Sequence, residues 1–231
     1  MNTDIKEIKN IVKYFLQQRI EKTEYSPMIV IHPIFETSII PIIEKDGNFT
    51  YKDMLQDKEA LQIGYKQTEK RINEATTLTS LYCIIRKSYR LTFLKFARPY
   101  LSVEDFSSLL ANAWTTSENP NTDINVDIAT LSNWFQTASK KFLMTIDEYN
   151  AYRTLPDRLT IYRGVASKSN PKGLSWTTDI KKAEWFANRW NDKGYIIQAE
   201  IPKDKVLAYF TTRGEQEVVV DTTDVQYERR I

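Results

Sequence analysis

The predicted secondary structure changes at residues 155–165, which read LPDRLTIYRGV. Before this segment, from about residue 51 to residue 153, apolar residues recur mainly at helical spacing. After it, short β-rich runs alternate with turns and one helix. We therefore predict an α+β protein in which a mainly helical part, residues 1–150, precedes or packs on a β-rich core, residues 151–231. The two parts can form one continuous domain.

The β-rich core is predicted to contain several strands and one amphipathic helix. The helix covers residues 179–191, with Thr178 or Asp179 as its N-cap and an apolar stripe typical of a core-facing helix. That stripe consists of Ala183, Phe186, Ala187 and Trp190. The predicted extended segments are residues 159–163, 175–178, 194–201, 206–210 and 217–221.

The region before the core shows weaker signals. Residues 4–21 carry apolar side chains at helical spacing and predict an amphipathic helix. Residues 28–43 are β-branched and interrupted by two prolines, which predicts short extended pieces or an edge element. Asp46-Gly47-Asn48 predicts a turn, and Ser102 followed by two acidic residues predicts the start of a helix.

The glycine content excludes several families of nucleotide-binding enzymes. The chain has only six glycines, and the closest pair, Gly164 and Gly173, lies nine residues apart. Neither GxGxxG nor GxxxxGK[ST] can occur, which excludes ordinary Rossmann dehydrogenases, P-loop NTPases and glycine-rich-loop kinases. The net charge of +2 gives no general reason to expect a polyanion-binding protein.

One cysteine and one histidine exclude most zinc sites, although a site made of carboxylates alone stays open. His32 lies in an apolar run and is predicted to be a packed or surface residue rather than a catalytic one. Cys83 lies among apolar residues and is predicted to be a small core residue. A single cysteine cannot form an intrachain disulfide, which fits a reducing compartment. Without an apolar run of about 18 residues or a secretory signal, we expect a cytoplasmic protein that makes no membrane contact.

The candidate chemistry lies at the ends of β elements. Arg163 closes a predicted strand, where its guanidinium could bind phosphate or pair with an aspartate at the rim of the sheet. The next residue, Gly164, allows a ligand to approach the backbone closely. The run that begins at Ser175 starts a second short extended segment. It can also be interpreted as a simple helix-capping segment.

Glu215 and Glu217 directly precede a valine-rich strand. In an extended chain, residues i and i+2 face the same side about 6.5 Å apart, so we expect the two carboxylates to point together. Such a pair can perform general acid–base work or stabilise an oxocarbenium ion during cleavage of a glycosidic bond. The alternative is a charged edge that discourages aggregation.

Taken in order, these motifs resemble the arginine-serine-glutamate class of mono-ADP-ribosyltransferases. That class includes cholera-toxin-like and clostridial binary toxins, vertebrate ecto-transferases and several phage enzymes. The motifs that carry the resemblance lie within residues 155–222, and are Tyr162-Arg163-Gly164, Ser175-Trp176-Thr177-Thr178, Ala183-Glu184-Trp185-Phe186-Ala187 and Glu215-Gln216-Glu217. Arg163 in the first motif disfavours the histidine-tyrosine-glutamate branch. Trp176, which follows Ser175, departs from the best-known pattern.

The resemblance implies a split β-sheet core and an enzyme that consumes NAD as a substrate without a metal. Arg163 would contact the NAD phosphates and Gly164 the nicotinamide carboxamide, while Thr177 would support the neighbouring strand. Glu217 would hold the nicotinamide ribose and offset the charge that develops as nicotinamide leaves. Ser175 would orient Glu217, and Glu215 would serve the acceptor. Tyr162, together with Phe186 or Trp185, would lie around the cofactor.

The acceptor implied by the resemblance is an arginine side chain of a protein, because Glu-X-Glu accompanies arginine modification in this class. The protein would then be a bacterial or phage effector or toxin, with an antitoxin or inhibitor protein as a partner. Plain hydrolysis of NAD is a variant of this interpretation. A degenerate transferase fold acting as a binding module is an alternative, although such a module would not need the full set of arginine, serine and two glutamates.

A second alternative is that RNA or DNA is the acceptor. Residues 75–103 contain five basic residues and no acidic one, interleaved with aromatic side chains, a combination that suits single-stranded nucleic acid. The basic residues are Arg86, Lys87, Arg90, Lys95 and Arg98. A solvated basic face of an ordinary helix explains the same pattern, and we favour that interpretation.

Overall fold

A computed structural model describes residues 2–43, 47–118, 120, 123–166, 171–189 and 194–230. The chain divides into two compact units, Met1–Ser102 and Val103–Ile231. The helices that directly precede the strands of the core therefore belong to the same unit as those strands. The change of pattern at residue 155 marks a change of secondary structure within this second unit.

The first unit opens with the predicted amphipathic helix, α1, Ile5–Leu16. The carboxylate of Asp4 caps it by accepting hydrogen bonds from the backbone N–H groups of Lys6 and Glu7. Every turn of its apolar face contributes buried side chains, which are those of Ile8, Val12, Phe15 and Leu16. The helix ends earlier than the predicted residue 21.

Two antiparallel strand pairs and three helices complete the first unit. The extended pieces expected within residues 28–43 are present as two strands, β2 Val30–Ile31 and β3 Ile39–Ile43. Residues 49–53, partly predicted as helix, form a strand that pairs with β3 over its whole length, because pairing overrides local helical spacing. The bounds are β1 Glu21–Lys22, β2 Val30–Ile31, β3 Ile39–Ile43, β4 Phe49–Asp53, α2 Lys58–Glu74, α3 Leu78–Tyr82 and α4 Arg90–Ala97.

Of the turn predicted at Asp46-Gly47-Asn48, the structure describes Gly47 and Asn48, which directly precede β4. Gly47 has a φ of 85°, in the left-handed region that glycine adopts at no steric cost, while Asp46 lies outside the described residues.

The sequence-based predictions for two single residues of the first unit, His32 and Cys83, had different outcomes. His32 is fully buried, and its Nδ1 accepts hydrogen bonds from the backbone of Ile34 and Phe35, at 3.0 Å each. Burial lowers the pKa of His32 to about 4, which keeps this packed histidine neutral. The prediction for Cys83 was wrong, because its side chain is exposed. It directly follows α3, whose end turns Leu81 and Tyr82 inward and leaves Cys83 on the outer side.

The second unit begins with four helices, and the first starts directly after Ser102, as predicted. Helices α6, α7 and α8 pack on strand β8, Val206–Phe210, which is buried along its length. Lys140 of α7 donates to the Val206 carbonyl at 2.7 Å, and Ser132 of α6 donates to Asp221. The four helices are α5 Val103–Thr116, α6 Ile128–Thr137, α7 Lys140–Leu143 and α8 Ile146–Thr154.

The core of this unit is an antiparallel sheet with the strand order β10-β7-β5-β6-β9-β8. The extended segments predicted from the sequence match five of these strands with small shifts in their bounds. The sixth, β10, was not predicted, and it pairs with the outer edge of β7. The strands are β5 Arg158–Val165, β6 Ser175–Thr177, β7 Tyr195–Pro202, β8 Val206–Phe210, β9 Glu217–Val220 and β10 Gln226–Arg230.

Strand pairing is uneven across the middle of this sheet. β5 pairs with β7 from Arg158 to Val165, but it pairs with β6 only where Tyr162 meets Thr177. Backbone pairing between β5 and β6 is therefore limited to this one position, next to Arg163.

Helix α9, Ile180–Ala187, covers β5, and Asp179 is its N-cap, one of the two caps predicted. Ala183 and Ala187 of the predicted stripe are buried and Phe186 is half-buried, while Trp190 lies outside the described residues. A Cβ on Gly164 would lie 2.0 Å from the carbonyl oxygen of Ala183. A glycine is therefore required there for α9 to pack against the strand.

None of the helices in the described residues has the length and apolar character that a membrane crossing requires.

Candidate active site

Glu217 is the centre of the candidate site. It opens β9, in register with Thr177 of β6, and only 6% of it is exposed. Two side chains donate to the same carboxylate oxygen, Oε1: the hydroxyl of Ser175 at 2.5 Å and the indole Nε1–H of Trp114 at 2.8 Å. A buried carboxylate is thus held by donors from a neighbouring strand and from helix α5.

Burial raises the pKa of Glu217 above the ordinary range of glutamate, because removal from water disfavours the charged form. The two hydrogen bonds from Ser175 and Trp114 act in the opposite direction and favour the carboxylate. Glu215 raises the pKa of Glu217 through like-charge repulsion, whereas Arg213 lowers it. A buried carboxyl group whose pKa is shifted by burial and by specific neighbours is a candidate functional group.

Arg163 of β5 and Glu217 of β9 lie on the two strands that flank β6, and their charges interact. Its Nη1 donates to the carbonyl oxygen of Ser175 at 2.5 Å. Its guanidinium lies against Gly173, where an added Cβ would be 2.3 Å from Nη2. Burial lowers the pKa of Arg163 to about 10, while the negative charge of Glu217 opposes this shift. The arginine therefore remains a cation at neutral pH and holds the first residue of β6 in place.

Thr177 anchors the segment that carries the two glutamates. Its hydroxyl donates to the carbonyl oxygen of Glu215 at 2.6 Å and accepts from the backbone N–H of Asp179 at 3.0 Å. Thr178 bonds Gln216 through both backbone and side chain. The Ser175–Asp179 run thus does more than cap a helix, because it also positions the residues directly before β9.

The expected extended geometry of Glu215 and Glu217 was wrong in detail. β9 begins at Glu217, and Gln216 has a φ of 45°, so the backbone is not extended between the two glutamates. The carboxylates are still close enough for Glu215 to raise the pKa of Glu217. Glu215 forms an ion pair with Arg213 at 2.9 Å, and Arg213 also donates to the Thr115 carbonyl at 2.7 Å.

A second buried carboxylate, Glu148 of α8, holds the start of the loop that contains Glu215 and leads to Glu217. Its Oε1 accepts hydrogen bonds from the backbone N–H groups of Thr211 and Thr212 and from the Thr212 hydroxyl. Its Oε2 accepts from the backbone and hydroxyl of Thr145. These donors lower the pKa of Glu148, against the effect of burial. The loop from Thr211 to Gln216, called here the glutamate loop, is therefore fastened at both ends.

The other predicted site residues lie around this centre. Tyr162 is in register with Thr177, which is in register with Glu217, so the three residues form a row across three strands. Phe186 and Trp185 are adjacent on α9, with their rings in edge contact at 4.9 Å, and the Phe186 Cβ lies over Gly164. The structure thus brings Arg163, Ser175, Thr177 and Glu217 into direct contact or register, with Glu215 beside them.

Sequence reasoning missed three contributors to this site: Trp114, Glu148 and Arg213. Trp114 lies in α5, 103 residues from Glu217, and Glu148 lies in α8, 63–64 residues from Thr211 and Thr212. The Thr145–Glu148 capping box at the start of α8 is visible in the sequence, but it indicates only the N-terminus of a helix. Arg213 lies only two residues before Glu215, so its proximity was visible in the sequence.

The basic and aromatic residues in the first unit serve largely structural contacts. Arg86 donates to the carbonyl oxygens of Val30, His32 and Phe35. The Arg90 guanidinium lies 4.5 Å from the centroid of the buried Tyr82 ring. Lys87 and Lys95 are exposed.

The described residues contain no group of three or more histidine, cysteine or acidic side chains that could hold a metal ion. What the arrangement offers instead is a buried carboxylate with fixed donors, a buried arginine and a second carboxylate nearby. Such a set can bind a phosphorylated ligand and stabilise positive charge on a reacting carbon. Comparisons with protein-family models, with characterised proteins and with solved structures find no match.

Proposed function

We propose that this protein is a mono-ADP-ribosyltransferase of the arginine-serine-glutamate class, with NAD as the donor substrate. The observation that carries this proposal is the direct linkage of Arg163, Ser175 and Glu217. The Ser175 carbonyl accepts from Arg163 and the Ser175 hydroxyl donates to Glu217, so one residue joins the arginine to the glutamate. These are the three residues that define the class, and they come from three adjacent strands.

We place the proposed NAD site where β5 and β6 are paired at only one position. Arg163 directly follows this pair on β5 and carries the positive charge that a pyrophosphate requires. Glu217, in the next strand but one, supplies the negative charge. The six strands form one continuous sheet, and we interpret the single pairing position between β5 and β6 as the place where a split-sheet core would divide.

The proposed reaction breaks the bond between the nicotinamide nitrogen and C1′ of its ribose. Nicotinamide leaves as a neutral molecule, taking the bonding electron pair, and the positive charge develops on the ribose, where the Glu217 carboxylate offsets it. A nitrogen of the acceptor then forms the new bond to C1′ and loses a proton, which Glu215 accepts. Positioning and electrostatics suffice, because the leaving group is already cationic in NAD.

An arginine side chain of a protein is the acceptor that we propose. Glu215 already binds one guanidinium, that of Arg213, at 2.9 Å in a partly exposed position. This contact supports the idea that the outer glutamate accommodates an arginine side chain. An effector or toxin with this activity would be paired with an inhibitor protein.

The proposal predicts that NAD binding and turnover depend on different residues. Glu217→Gln should lower ADP-ribose transfer by at least 100- to 1000-fold, the usual effect of losing one electrostatic group at a reacting centre. Arg163→Ala should instead weaken NAD binding, because it removes the cation proposed to bind the phosphates. Incubation of the protein with labelled NAD and cell lysate measures transfer, and calorimetry measures binding.

Two matched variants control for general damage. Arg158→Ala removes an exposed arginine from the same strand, and Glu184→Gln changes an exposed glutamate on α9. Both should behave like the wild type. A Glu217→Gln variant within about twofold of wild-type activity would rule out the proposed role of Glu217, and unchanged NAD binding by Arg163→Ala would rule out the phosphate role.

A further inference from the structure

Both hydrogen bonds to Glu217 converge on one oxygen. Ser175 and Trp114 donate to Oε1, while Oε2 accepts no hydrogen bond from any residue that the structure describes. The two oxygens of this carboxylate are thus in different environments. One is occupied by the protein, and the other remains available to a substrate.

The donor from helix α5 is held more rigidly than the donor from the sheet. Trp114 is 1% exposed, and its ring meets the Phe135 ring edge-on at 5.1 Å. The indole N–H can only donate, and its direction is set by the plane of the ring. A serine hydroxyl, by contrast, rotates about its C–O bond. The indole therefore defines where Oε1 must lie.

We propose that Trp114 is a positioning residue that holds the Glu217 carboxylate with Oε1 bound to the protein and Oε2 directed to the substrate. This inference rests on the proposed function for the identity of the substrate, the ribose of NAD. The contact itself is independent of that function. Trp114 acts through Glu217 and is not itself a catalytic residue.

The charges around Glu217 show why a second donor matters. Glu215 repels the carboxylate, whereas Arg213 and Arg163 attract it, and burial opposes ionisation. The Trp114 and Ser175 hydrogen bonds lower the pKa of Glu217 against the effect of burial. Removing the indole donor should therefore move the ionisation of Glu217 to higher pH, because only Ser175 would then stabilise the carboxylate directly.

The contact can be tested in the wild-type protein without any assay of activity. In a 1H–15N NMR spectrum, the Trp114 indole resonance should shift with pH as Glu217 gains its proton. In Glu217→Gln, the amide oxygen can still accept the hydrogen bond, but this titration should disappear. An indole resonance that does not titrate, or that titrates equally in Glu217→Gln, would overturn the proposal.

Kinetics of Trp114→Phe then test the positioning role. Phenylalanine keeps an aromatic ring in the core and removes the N–H donor. We expect kcat to fall about 10- to 100-fold, the range for losing one hydrogen bond to a charged group, while KM for NAD changes little. The acidic limb of the pH profile should move to higher pH.

Trp134→Phe is the matched control, because Trp134 is also a buried tryptophan, on helix α6, in edge contact with Phe106. This variant should keep the wild-type pH profile. If Trp114→Phe and Trp134→Phe lose the same activity with the same profile, Trp114 has only a packing role and the proposal is wrong. If the indole resonance titrates with Glu217 but the wild-type protein does not consume NAD, the proposed function is wrong. The contact between Trp114 and Glu217 is still supported by that result.

Discussion

Glu217 combines a buried position with a charge, and this combination is costly unless specific partners favour the ionised form. The structure supplies two donors and a nearby arginine, yet burial still raises the pKa of this carboxyl group. Keeping this carboxyl group buried therefore costs stability once the group is ionised. Stability and activity should therefore respond in opposite directions when the charge is removed.

This opposition gives a prediction for Glu217→Gln. Because the folded-state pKa is raised, the stability contributed by this group is present below about pH 4.3, the ordinary glutamate value, and is lost as pH rises through the folded pKa. The glutamine variant avoids that loss, and its amide oxygen can accept both hydrogen bonds. Its Tm at pH 8 should exceed that of the wild type, by roughly 2–4 °C for each kcal/mol gained.

Thermal unfolding followed by circular dichroism across pH measures this difference. The gap between the two proteins should shrink as pH falls. Glu184→Gln, at an exposed position, should show no such trend. A wild type that is more stable than Glu217→Gln at pH 8 would contradict this account.

At the level of elements, the glutamate loop depends on helix α8. Glu148 is 3% exposed and joins the first turn of α8 to Thr211 and Thr212, while Thr177 holds the other end of the loop. The loop contains Arg213 and Glu215, and neither has a strand to hold it. The position of this part of the site therefore depends on the buried carboxylate of α8 at one end of the loop and on the Thr177 hydroxyl at the other.

Glu148→Gln should destabilise the protein and impair the loop. An amide nitrogen cannot accept the hydrogen bonds at the position of Oε1 or Oε2, so at least one set of donors loses its partner. We expect the free energy of unfolding at pH 7 to fall by about 2–4 kcal/mol, as for a broken buried hydrogen-bond network. Denaturant unfolding measures this change.

The pH dependence of this effect has a defined sign. Because the pKa of Glu148 is lowered on folding, its contribution to stability is present above the ordinary glutamate value and is lost as pH falls through the folded pKa. The difference between wild type and Glu148→Gln should therefore narrow in acid. Asp147→Asn, the same change at the exposed neighbouring carboxylate, is the control. Equal stability of Glu148→Gln and Asp147→Asn at pH 7 would refute the role of Glu148.

At the level of the whole molecule, the surface of the first unit bears on whether the proposed acceptor is a protein or a nucleic acid. The first unit uses Arg86 to bind backbone carbonyls and places Tyr82 and Phe93 in its core. These residues are therefore already engaged within the fold. Lys87, Lys95 and Phe96 of the same stretch are exposed.

We expect the labelled product to be removed by protease and to survive nuclease. Lys87→Gln combined with Lys95→Gln should transfer ADP-ribose as well as the wild type, because these residues would not recruit a protein acceptor through phosphate contacts. Lys66→Gln with Lys70→Gln, on exposed positions of α2, makes the same change of charge and is the control. A product that is sensitive to nuclease, depends steeply on salt and is lost only in the first double variant would instead indicate RNA or DNA.

Local sequence patterns were sufficient for much of the second unit. Alternating and β-branched runs predicted five of its strands, and Asp179 before an apolar stripe predicted the N-terminus of α9. Such patterns succeed because strand alternation and helix capping involve residues only a few positions apart. β10 was missed, since it exists by pairing with β7 and has no comparable signal of its own.

The sequence by itself determined which side chains could carry the proposed chemistry: Arg163, Ser175, Glu215 and Glu217, in that order and near the ends of β elements. Only the tertiary structure decided how they are held. It put Trp114 of α5 and Glu148 of α8 on the site, turned the backbone at Gln216 and left Cys83 exposed. The physical reason is that a hydrogen bond between residues 103 positions apart depends on packing, which no local pattern records.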